Sequence, residues 1–301
     1  MAGAARLGVP LLRFAAGTLL ALASLLSPPV AQRVAAIAPF LPWQVCRNSG
    51  NYSANSTYES NLKQLAATVP TNVSSSPVLF VNGSVGTAPD TVYILALCRD
   101  DINGSANMPL NSLARYLKHC FQLVAQQLCP LDRDAAVFQE LCYARFSDLN
   151  FLATLDNGEP IVAMSPQNVS SAMIEALDDA VGIPLDATIE YAVTNSSRRF
   201  ATAEEGFHSS NPPSIYGMAR CTPDMSPAEC RKCLEVLNSK MRSLSGRQNG
   251  WLGGLRCHLR YAVYYFFYEA PMLQLPAPPV PAPTPSPVNV TPTSGGTVEN
   301  S

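Results

Sequence analysis

The spacing of the cysteines constrains this chain more than any other feature of its sequence. Within ARCTPDMSPAECRKCL, at residues 219–234, three cysteines follow the pattern Cys-x8-Cys-x2-Cys. A Cys-x2-Cys pair is typical of a zinc site, of a thiol–disulfide exchange motif or of a structural disulfide framework. The compartment decides among these three, because thiols persist in the cytosol and are oxidised outside the cell.

The first residues indicate an extracellular protein. Arg6 and Arg13 precede an apolar run over residues 14–26, and small residues follow as far as Ala31. This order predicts a secretory signal peptide over residues 1–31. The run is about 13 residues long, which is short for a membrane-spanning helix, and no later apolar run is longer. We therefore predict secretion and no membrane span, with an uncleaved membrane anchor as the alternative.

Eight Asn-x-Ser/Thr sequons agree with secretion, since such motifs accept N-linked glycans in secreted proteins. They lie at Asn51, Asn55, Asn72, Asn82, Asn103, Asn168, Asn195 and Asn289. A secreted chain rarely keeps four thiolates reduced to hold zinc, and the βαβ context of a thioredoxin-like motif is absent. The cysteines are therefore predicted to form structural disulfides. The formal net charge is −2, and the sequence contains no stripe of basic residues, so nucleic acid is not expected as a partner.

The chain contains one structural unit twice. TVYILALCRDD at 91–101 resembles SIYGMARCTPD at 214–224, and LCYARF at 141–146 resembles RCHLRY at 256–261. Each copy is long enough to bury a core of its own, so the copies are interpreted as two domains and not as solenoid repeats.

Both domains are predicted to be α+β. Capping boxes at Ser56-x-x-Glu59 and Ser226-x-x-Glu229 mark helix starts, and Pro70 is expected to end the first helix. The β-branched and aromatic segments VLFV, IEYAVT and RRFAT are predicted strands. Each domain is therefore expected to be an antiparallel β-sheet with two helices packed on one face, stapled by disulfides.

The predicted boundaries place the first domain at 40–150 and the second at 155–270. The remaining residues, 271–301, are rich in proline and are predicted to be a disordered tail. In the aromatic segment at 260–269, Tyr261, Tyr265 and Phe267 are expected to face the helices of their own domain. Tyr264 and Phe266 would then form an apolar patch against the other domain.

YGMARC, SPAECRKCL and SGRQNGWLGGLRCHLRY in the second copy closely resemble the plant stress-antifungal domain. This ginkbilobin-like, cysteine-rich repeat is also called domain of unknown function 26. ILALCRDDINGSA and CYARFSD carry the resemblance in the first copy. The chain as a whole resembles the ectodomain of a cysteine-rich receptor-like kinase, without its membrane helix and its kinase. The resemblance implies an extracellular module that needs no cofactor.

The resemblance also implies a disulfide pairing. It joins Cys46 to Cys129 in the first copy, and Cys221 to Cys230 and Cys233 to Cys257 in the second copy. The first copy departs from the family pattern, because Asn107 and Leu110 stand where two cysteines belong. Cys98, Cys120 and Cys142 are then left to share at most one bridge. Cys120 with Cys142 is the candidate, and Cys98 is the expected spare thiol.

The sequence is compatible with three kinds of function. An enzyme is not favoured: His119, His208 and His258 belong to no catalytic motif, and His258 is expected to be a solvated residue on a strand. A mannose-binding antifungal lectin is the second hypothesis, because the family includes one. Its asparagine, arginine and glutamate correspond to Arg47, Ala136 and Ser147 in the first copy, and its arginine and glutamate to Trp251 and Ala262 in the second. None of these residues retains the sugar-binding chemistry.

The third hypothesis is a non-catalytic recognition module outside the cell, in stress or defence signalling, and the sequence favours it. Its partner would be an extracellular protein or a carbohydrate ligand, with a receptor-like kinase as a further partner. The protein would act in the apoplast, or at the cell surface if the chain derives from a truncated receptor.

Overall fold

The computed structural model describes residues 43–47, 49–102, 110–207 and 214–277. The predicted signal peptide, the sequons at Asn103 and Asn289, Asn107, His208 and residues 278–301 of the predicted tail lie outside the described residues.

Domain one is a five-stranded antiparallel sheet with two helices on one face. Its strands lie in the order β1-β4-β5-β3-β2. In chain order the elements are β1 (Trp43–Cys46), α1 (Thr57–Ser75), β2 (Phe80–Val85), β3 (Val92–Cys98), α2 (Leu110–Leu123), β4 (Asp134–Phe138) and β5 (Cys142–Ser147). A short 3-10 helix at Asp100–Ile102 follows β3, and one π-helical turn at Val124–Leu128 extends α2.

Domain two repeats this arrangement with one strand more. Its sheet has the order β11-β7-β8-β10-β9-β6. The elements are β6 (Ile161–Met164), α3 (Ile174–Thr194), β7 (Phe200–Gly206), β8 (Ser214–Cys221), α4 (Pro227–Met241), β9 (Asn249–Gly253), β10 (Cys257–Ala262) and β11 (Leu273–Leu275). The strand β11 lies parallel to β7, whereas all other neighbours are antiparallel. It lies within the segment predicted to be a disordered tail, so the ordered domain extends beyond residue 270.

The helices begin where the capping boxes predict. Ser56 Oγ accepts a hydrogen bond from the amide of Glu59 at 3.3 Å, and Ser226 and Glu229 form a complete capping box at the start of α4. The expectation that Pro70 ends α1 is wrong, because α1 continues to Ser75. Buried apolar residues on both sides of the proline, such as Leu65 and Val73, pack against the sheet and outweigh the one helical hydrogen bond lost.

The segment IEYAVT is helical and not a strand. It forms the last part of α3, where Ile189, Ala192 and Val193 are buried at helical spacing below Leu185. A short β-branched run carries no periodicity that separates a strand from a buried helix turn. Pro184, inside α3, lies against β8. An added Cβ at Gly217 would be only 2.9 Å from the Pro184 carbonyl oxygen, so the glycine of YGMARC permits this contact.

The two sheets pack on each other through the faces that carry no helices. One apolar cluster contains residues of both domains, among them Leu95, Leu97 and Tyr143 of domain one, and Trp251 and Leu255 of domain two. The helices therefore lie on the two outer sides, and the domains meet sheet to sheet.

The aromatic segment after β10 takes part in this contact, but not as the alternation predicts. Phe266 is 0% exposed and contacts domain one, whereas Tyr264 is 37% exposed. Tyr265 and Phe267 do not face their helices; both pack against Tyr216, on the face of β8 opposite the helices. Strand β10 ends at Ala262, so the two-residue alternation does not continue into the segment.

The structure contains four disulfides and one thiol. Cys46–Cys129, Cys221–Cys230 and Cys233–Cys257 are joined as the resemblance implies. The fourth bridge links Cys98 to Cys142, and Cys120 remains a buried thiol. The expected pair of Cys120 with Cys142, and the expected spare thiol at Cys98, are therefore both wrong.

The register of the sheet explains the different pairing. Cys98 and Cys142 lie directly opposite each other on β3 and β5, with a Cα–Cα distance of 4.0 Å. Cys221 and Cys257 occupy the same relation in domain two, but each bonds to a cysteine on α4. Because domain one lacks both of those helix cysteines, its two strand cysteines bond to each other.

We expect Cys120 to be the one free thiol of the folded protein and to be unreactive. Its side chain is fully buried beside Gln139, and burial raises the pKa of its thiol to about 12, so almost no thiolate exists near neutral pH. Alkylation followed by non-reducing peptide mapping should give no label on the native protein. Labelling should begin at Cys120 as domain one unfolds in denaturant. Labelling of Cys98 or Cys142 in unreduced protein would contradict this assignment.

The buried carboxyl of Glu205, on β7, should make the protein more stable in acid. Burial raises its pKa from 4.5 to about 7, and its Oε2 has no hydrogen-bond partner within the described part of the chain. The native state therefore holds this proton more tightly than the unfolded chain does. The stability is fully present below about pH 4.5 and is lost as the pH rises through about 7.

Chemical denaturation at pH 5 and pH 8 checks this expectation. The variant Glu205→Gln should reduce the loss of unfolding free energy between the two pH values by up to about 3 kcal/mol. Glu190→Gln is the matched control, because Glu190 is an exposed carboxylate on α3. Equal pH dependence in wild type and Glu205→Gln would show that Glu205 ionises normally.

Candidate functional site

The centre of the contact between the sheets is aromatic. The hydroxyl of Tyr143, on β5, donates to the carbonyl oxygen of Leu255 in domain two at 2.9 Å. The Tyr143 ring lies 4.5 Å from the His258 ring, and Phe138 meets Trp251 edge to face at 6.4 Å between centroids. We call this surface the interdomain face. Its packed aromatic side chains fix the two sheets against each other.

Arginines from both domains are buried at the margin of the interdomain face. Arg99 of domain one donates to both carboxylate oxygens of Asp101, at 2.9 and 2.6 Å, and to the Phe266 carbonyl oxygen of domain two at 3.1 Å. Arg99 and Arg260 each reach Glu140 Oε1 at 2.7 Å. Glu140 therefore joins a guanidinium of each domain. Burial opposes the charge on Arg99, but Asp101 and Glu140 hold its pKa above the ordinary value.

The linker between the domains is attached to domain two by its polar side chains. Asn157 Oδ1 accepts from the amides of Arg256 and Cys257 at 2.7 and 2.9 Å. The guanidinium of Arg256 is fully buried and donates to the Thr154 carbonyl oxygen at 2.7 Å. An added Cβ at Gly254 would lie 2.1 Å from the Asn157 carbonyl oxygen, so only glycine permits the linker to pass this closely.

An open cleft lies where the linker crosses from one domain to the other. It has a volume of about 400 Å³ and is lined by β1 and β4 of domain one and by the linker and β6 of domain two. A second cavity of about 250 Å³ continues it along the linker. The polar side chains Arg47, Arg145, Asn157 and Glu159 line the cleft above an apolar floor that includes Leu255. We call this space the interdomain cleft.

Arg145 forms the base of the interdomain cleft and is already neutralised. Its guanidinium makes two hydrogen bonds to Asp134, at 3.0 and 2.7 Å, and lies 4.3 Å from the Phe151 ring centroid. Arg47, by contrast, is exposed at the rim, and so is the side chain of Glu159, which lies 3.4 Å from Lys240. The cleft therefore has an exposed cation and an exposed carboxylate at its rim, around a guanidinium that is already paired with Asp134.

The positions of the family's mannose site fall in different surroundings in the two domains. In domain one, Arg47 and Ala136 line the interdomain cleft, whereas Ser147 is fully buried. In domain two, Trp251 is 8% exposed because the interdomain face covers it, and Ala262 is 0% exposed in a cluster with Phe266 and Phe267. Met164 of domain two corresponds to Cys46 of domain one. Its neighbour Ala163 lies opposite Trp251 on the adjacent strand, just as Val45, the neighbour of Cys46, lies opposite Ala136.

The histidines form no catalytic group in the described part of the chain. The expectation that His258 is solvated is wrong: it is buried in the interdomain face, with Nε2 2.7 Å from the Gly254 carbonyl oxygen. Burial and the nearby Arg220 hold its pKa well below the ordinary value, so it is neutral. His119 is exposed on α2. Among the described residues, no three His, Cys, Asp or Glu side chains cluster as metal ligands would.

The sequons that the structure describes are accessible. The side chains of Asn51, Asn55, Asn72, Asn82, Asn168 and Asn195 are all exposed. Asn82 also donates to Asp224 Oδ2 of domain two at 3.0 Å. None of the helices within the described ranges is long and apolar enough to cross a membrane.

The interdomain arginines were not identified as site residues from the sequence. The only signal was the repeated arginine three residues after Cys142 and Cys257, which proves to be Arg145 of the cleft and Arg260 of the Glu140 pair. Nothing local distinguishes Arg99, Arg220 or Arg256 from surface arginines, because their burial depends on the other domain or on the linker.

The sequence of this chain matches a known family model and is similar to two receptor-like protein kinases of rice. The family model described as salt stress response/antifungal matches residues 45–149 and 167–264. Cysteine-rich receptor-like protein kinase 10 of Oryza sativa subsp. japonica is 43% identical over 236 residues, which cover 77% of this chain and 36% of that protein. Cysteine-rich receptor-like protein kinase 6 of the same species is 42% identical over 251 residues, which cover 78% of this chain and 34% of that protein. The chain thus spans about a third of these two relatives.

Solved structures show the same fold. The tandem DUF26 ectodomain of the cysteine-rich receptor-like protein PDLP8 from Arabidopsis thaliana matches with a TM-score of 0.57 at 20% identity, covering 73% of this chain and 96% of that one. The corresponding ectodomain of PDLP5 matches with a TM-score of 0.55 at 21% identity, covering 73% and 97%. With two family matches along the chain, a sheet-and-helix fold repeated twice and a shared tandem arrangement, this chain belongs to the salt stress response/antifungal family as a tandem, receptor-ectodomain-like module.

Proposed function

We propose that this protein is a secreted, non-catalytic recognition module that binds its ligand in the interdomain cleft and acts in stress or defence signalling in the apoplast. The observation that carries the proposal is that residues of both domains and the linker build one cleft on a rigidly packed interdomain face. Pockets between domains with a few fixed polar groups are common binding sites.

The rigidity of the cleft supports a role in recognition. Asn157 and Arg256 fasten the linker to domain two, and Tyr143 fastens domain one to the same stretch through Leu255. A preformed cleft binds with little loss of conformational entropy. Arg47 and Glu159, at the rim, can meet opposite charges on a partner. An extracellular protein, or a carbohydrate ligand, is the class of partner that suits such a surface.

The position of the matched region supports a receptor-type role. The chain corresponds to about a third of the two rice receptor-like kinases, and solved neighbours are ectodomains. We propose that residues 1–31 are a signal peptide and that the eight sequons are glycosylated. A receptor-like kinase is the proposed signalling partner.

The carbohydrate-binding lectin of the mannose type has weaker support. Sugar hydroxyls need fixed donors and acceptors, and leaving them unpaired costs about 1–3 kcal/mol each. Ala136 and Trp251 cannot replace the arginine of that site, and Trp251 is covered by Phe138 and His258. We therefore place any carbohydrate ligand in the interdomain cleft and not in the mannose position of domain two.

The cleft is tested with the secreted full chain against two panels: soluble cell-wall oligosaccharides and purified ectodomains of cysteine-rich receptor-like kinases. For a probe that binds, Arg47→Glu should weaken the affinity at least about tenfold, because it reverses the charge at the rim. Arg231→Glu is the matched control, since Arg231 is a half-exposed arginine on α4 far along the outer side.

Two results would contradict the proposal. Equal affinities of Arg47→Glu and Arg231→Glu for every bound probe would remove the cleft as the binding site. Turnover of an oligosaccharide by the wild-type protein would show that the module is catalytic.

The proposal also requires that the domains stay fixed to each other, which the variant Glu140→Ala tests. Removing this carboxylate leaves Arg260 and part of Arg99 buried without their shared partner, and breaking a buried ion pair in this way costs about 3–5 kcal/mol. Denaturant unfolding should show that loss, and small-angle scattering should show a more extended molecule. Glu190→Ala, which removes an exposed pair with Arg231, should cost about 1 kcal/mol or less. Matching scattering profiles and midpoints for the two variants would mean that Glu140 does not join the domains.

A further inference from the structure

A small cavity lies between the two sheets, apart from the interdomain cleft. Its volume is about 20 Å³, room for about one water-sized particle. Three arginines line it: Arg99 from domain one, and Arg220 and Arg260 from β8 and β10 of domain two. Glu140 and Trp251 also line the cavity.

Arg220 differs from the other two arginines because its charge has no hydrogen-bonded partner. Its side chain is 3% exposed, and its Nε and Nη1 are buried without a hydrogen-bond acceptor among the described residues. The face of the Tyr143 ring lies 5.1 Å from its guanidinium carbon, and Asp100 and Asp101 attract its charge without hydrogen-bonding to it. Buried guanidinium groups are normally paired, since an uncompensated buried charge is strongly destabilising.

Two carboxylates near the cavity, those of Glu140 and Asp101, already accept hydrogen bonds from other arginines. Glu140 Oε1 accepts from both Arg99 and Arg260. Both oxygens of Asp101 accept from Arg99, and Oδ2 accepts also from the amide of Tyr268 at 3.2 Å. Asp100 lies nearby on the same 3-10 helix, but its Oδ1 is 4.0 Å from Arg198 and hydrogen-bonds to no described residue. Three guanidinium groups therefore meet at a cavity where Arg220, although attracted by Asp100 and Asp101, is hydrogen-bonded to no carboxylate of the described residues.

We propose that this cavity binds one monoatomic anion, chloride in the extracellular fluid, and that the anion helps to hold the two domains together. The ion would accept hydrogen bonds from Nε and Nη1 of Arg220 and would reduce the repulsion between Arg220, Arg99 and Arg260. The size of the cavity admits a halide and excludes sulfate or phosphate. Because the lining comes from both sheets, an ion bound here stabilises their contact and stabilises the folded protein by mass action.

Halide-dependent stability tests the proposal on the full secreted chain. Thermal unfolding is followed in sodium chloride, sodium bromide and sodium gluconate at one ionic strength of about 0.15 M, which keeps general screening constant. Chloride and bromide should raise the melting temperature in a saturable way by about 2–8 °C over gluconate. Arg220→Met, which keeps an apolar stem of similar length, should lose this dependence. Arg231→Met on the outer face should keep it.

Diffraction from wild-type crystals containing bromide gives an answer that does not depend on any variant. An anomalous peak within hydrogen-bond distance of Arg220 Nε and Nη1 is the expected result. Three outcomes would overturn the proposal. They are identical melting temperatures in halide and gluconate, retention of the halide effect in Arg220→Met, and the absence of an anomalous bromide peak from the cavity. The last outcome would assign the cavity to a buried water, or to a direct pair of Arg220 with Asp100.

Discussion

The carboxylate of Glu140 accepts from Arg99 of domain one and from Arg260 of domain two through one oxygen atom, and the tandem arrangement depends on this contact. Arg99 also holds Asp101 and the backbone of Phe266, so the segment after β10 is drawn onto domain one. Buried charges of this kind are weak evidence for net stability, because desolvation offsets much of their attraction. Their value here is specificity: only one placement of the two sheets pairs these groups.

The apolar contact between the sheets and the charged margin act together. Phe138, Tyr143 and Trp251 supply the buried area, which is not directional and would tolerate several orientations. The arginine pairs and the Tyr143–Leu255 hydrogen bond restrict the orientation. The interdomain cleft is a consequence of that orientation, since its walls belong to different domains and meet at the linker.

The two domains solve the same packing problem with different disulfides. Domain two ties α4 to two strands, through Cys221–Cys230 and Cys233–Cys257, whereas domain one closes the two strands on each other. A bridge between neighbouring strands restrains the sheet and does not itself tie the helix to it. In domain one, α2 therefore relies on Leu113, Leu117 and Phe121 in the core. The Cys46–Cys129 bridge is the remaining covalent link between the end of that helical region and the sheet.

Much of each domain followed from the sequence by itself, because the signals are local. The capping box at Ser226, the paired YGMARC-type segments and the cysteine spacing specify helix starts, equivalent strands and an α+β unit used twice. Three features depended on tertiary structure. Packing on the sheet kept α1 helical past Pro70, and strand register joined Cys98 to Cys142. The interdomain face buried Arg220 and His258 and brought Glu140 against Arg260, because such contacts depend on a surface that is distant in sequence and leaves no local pattern.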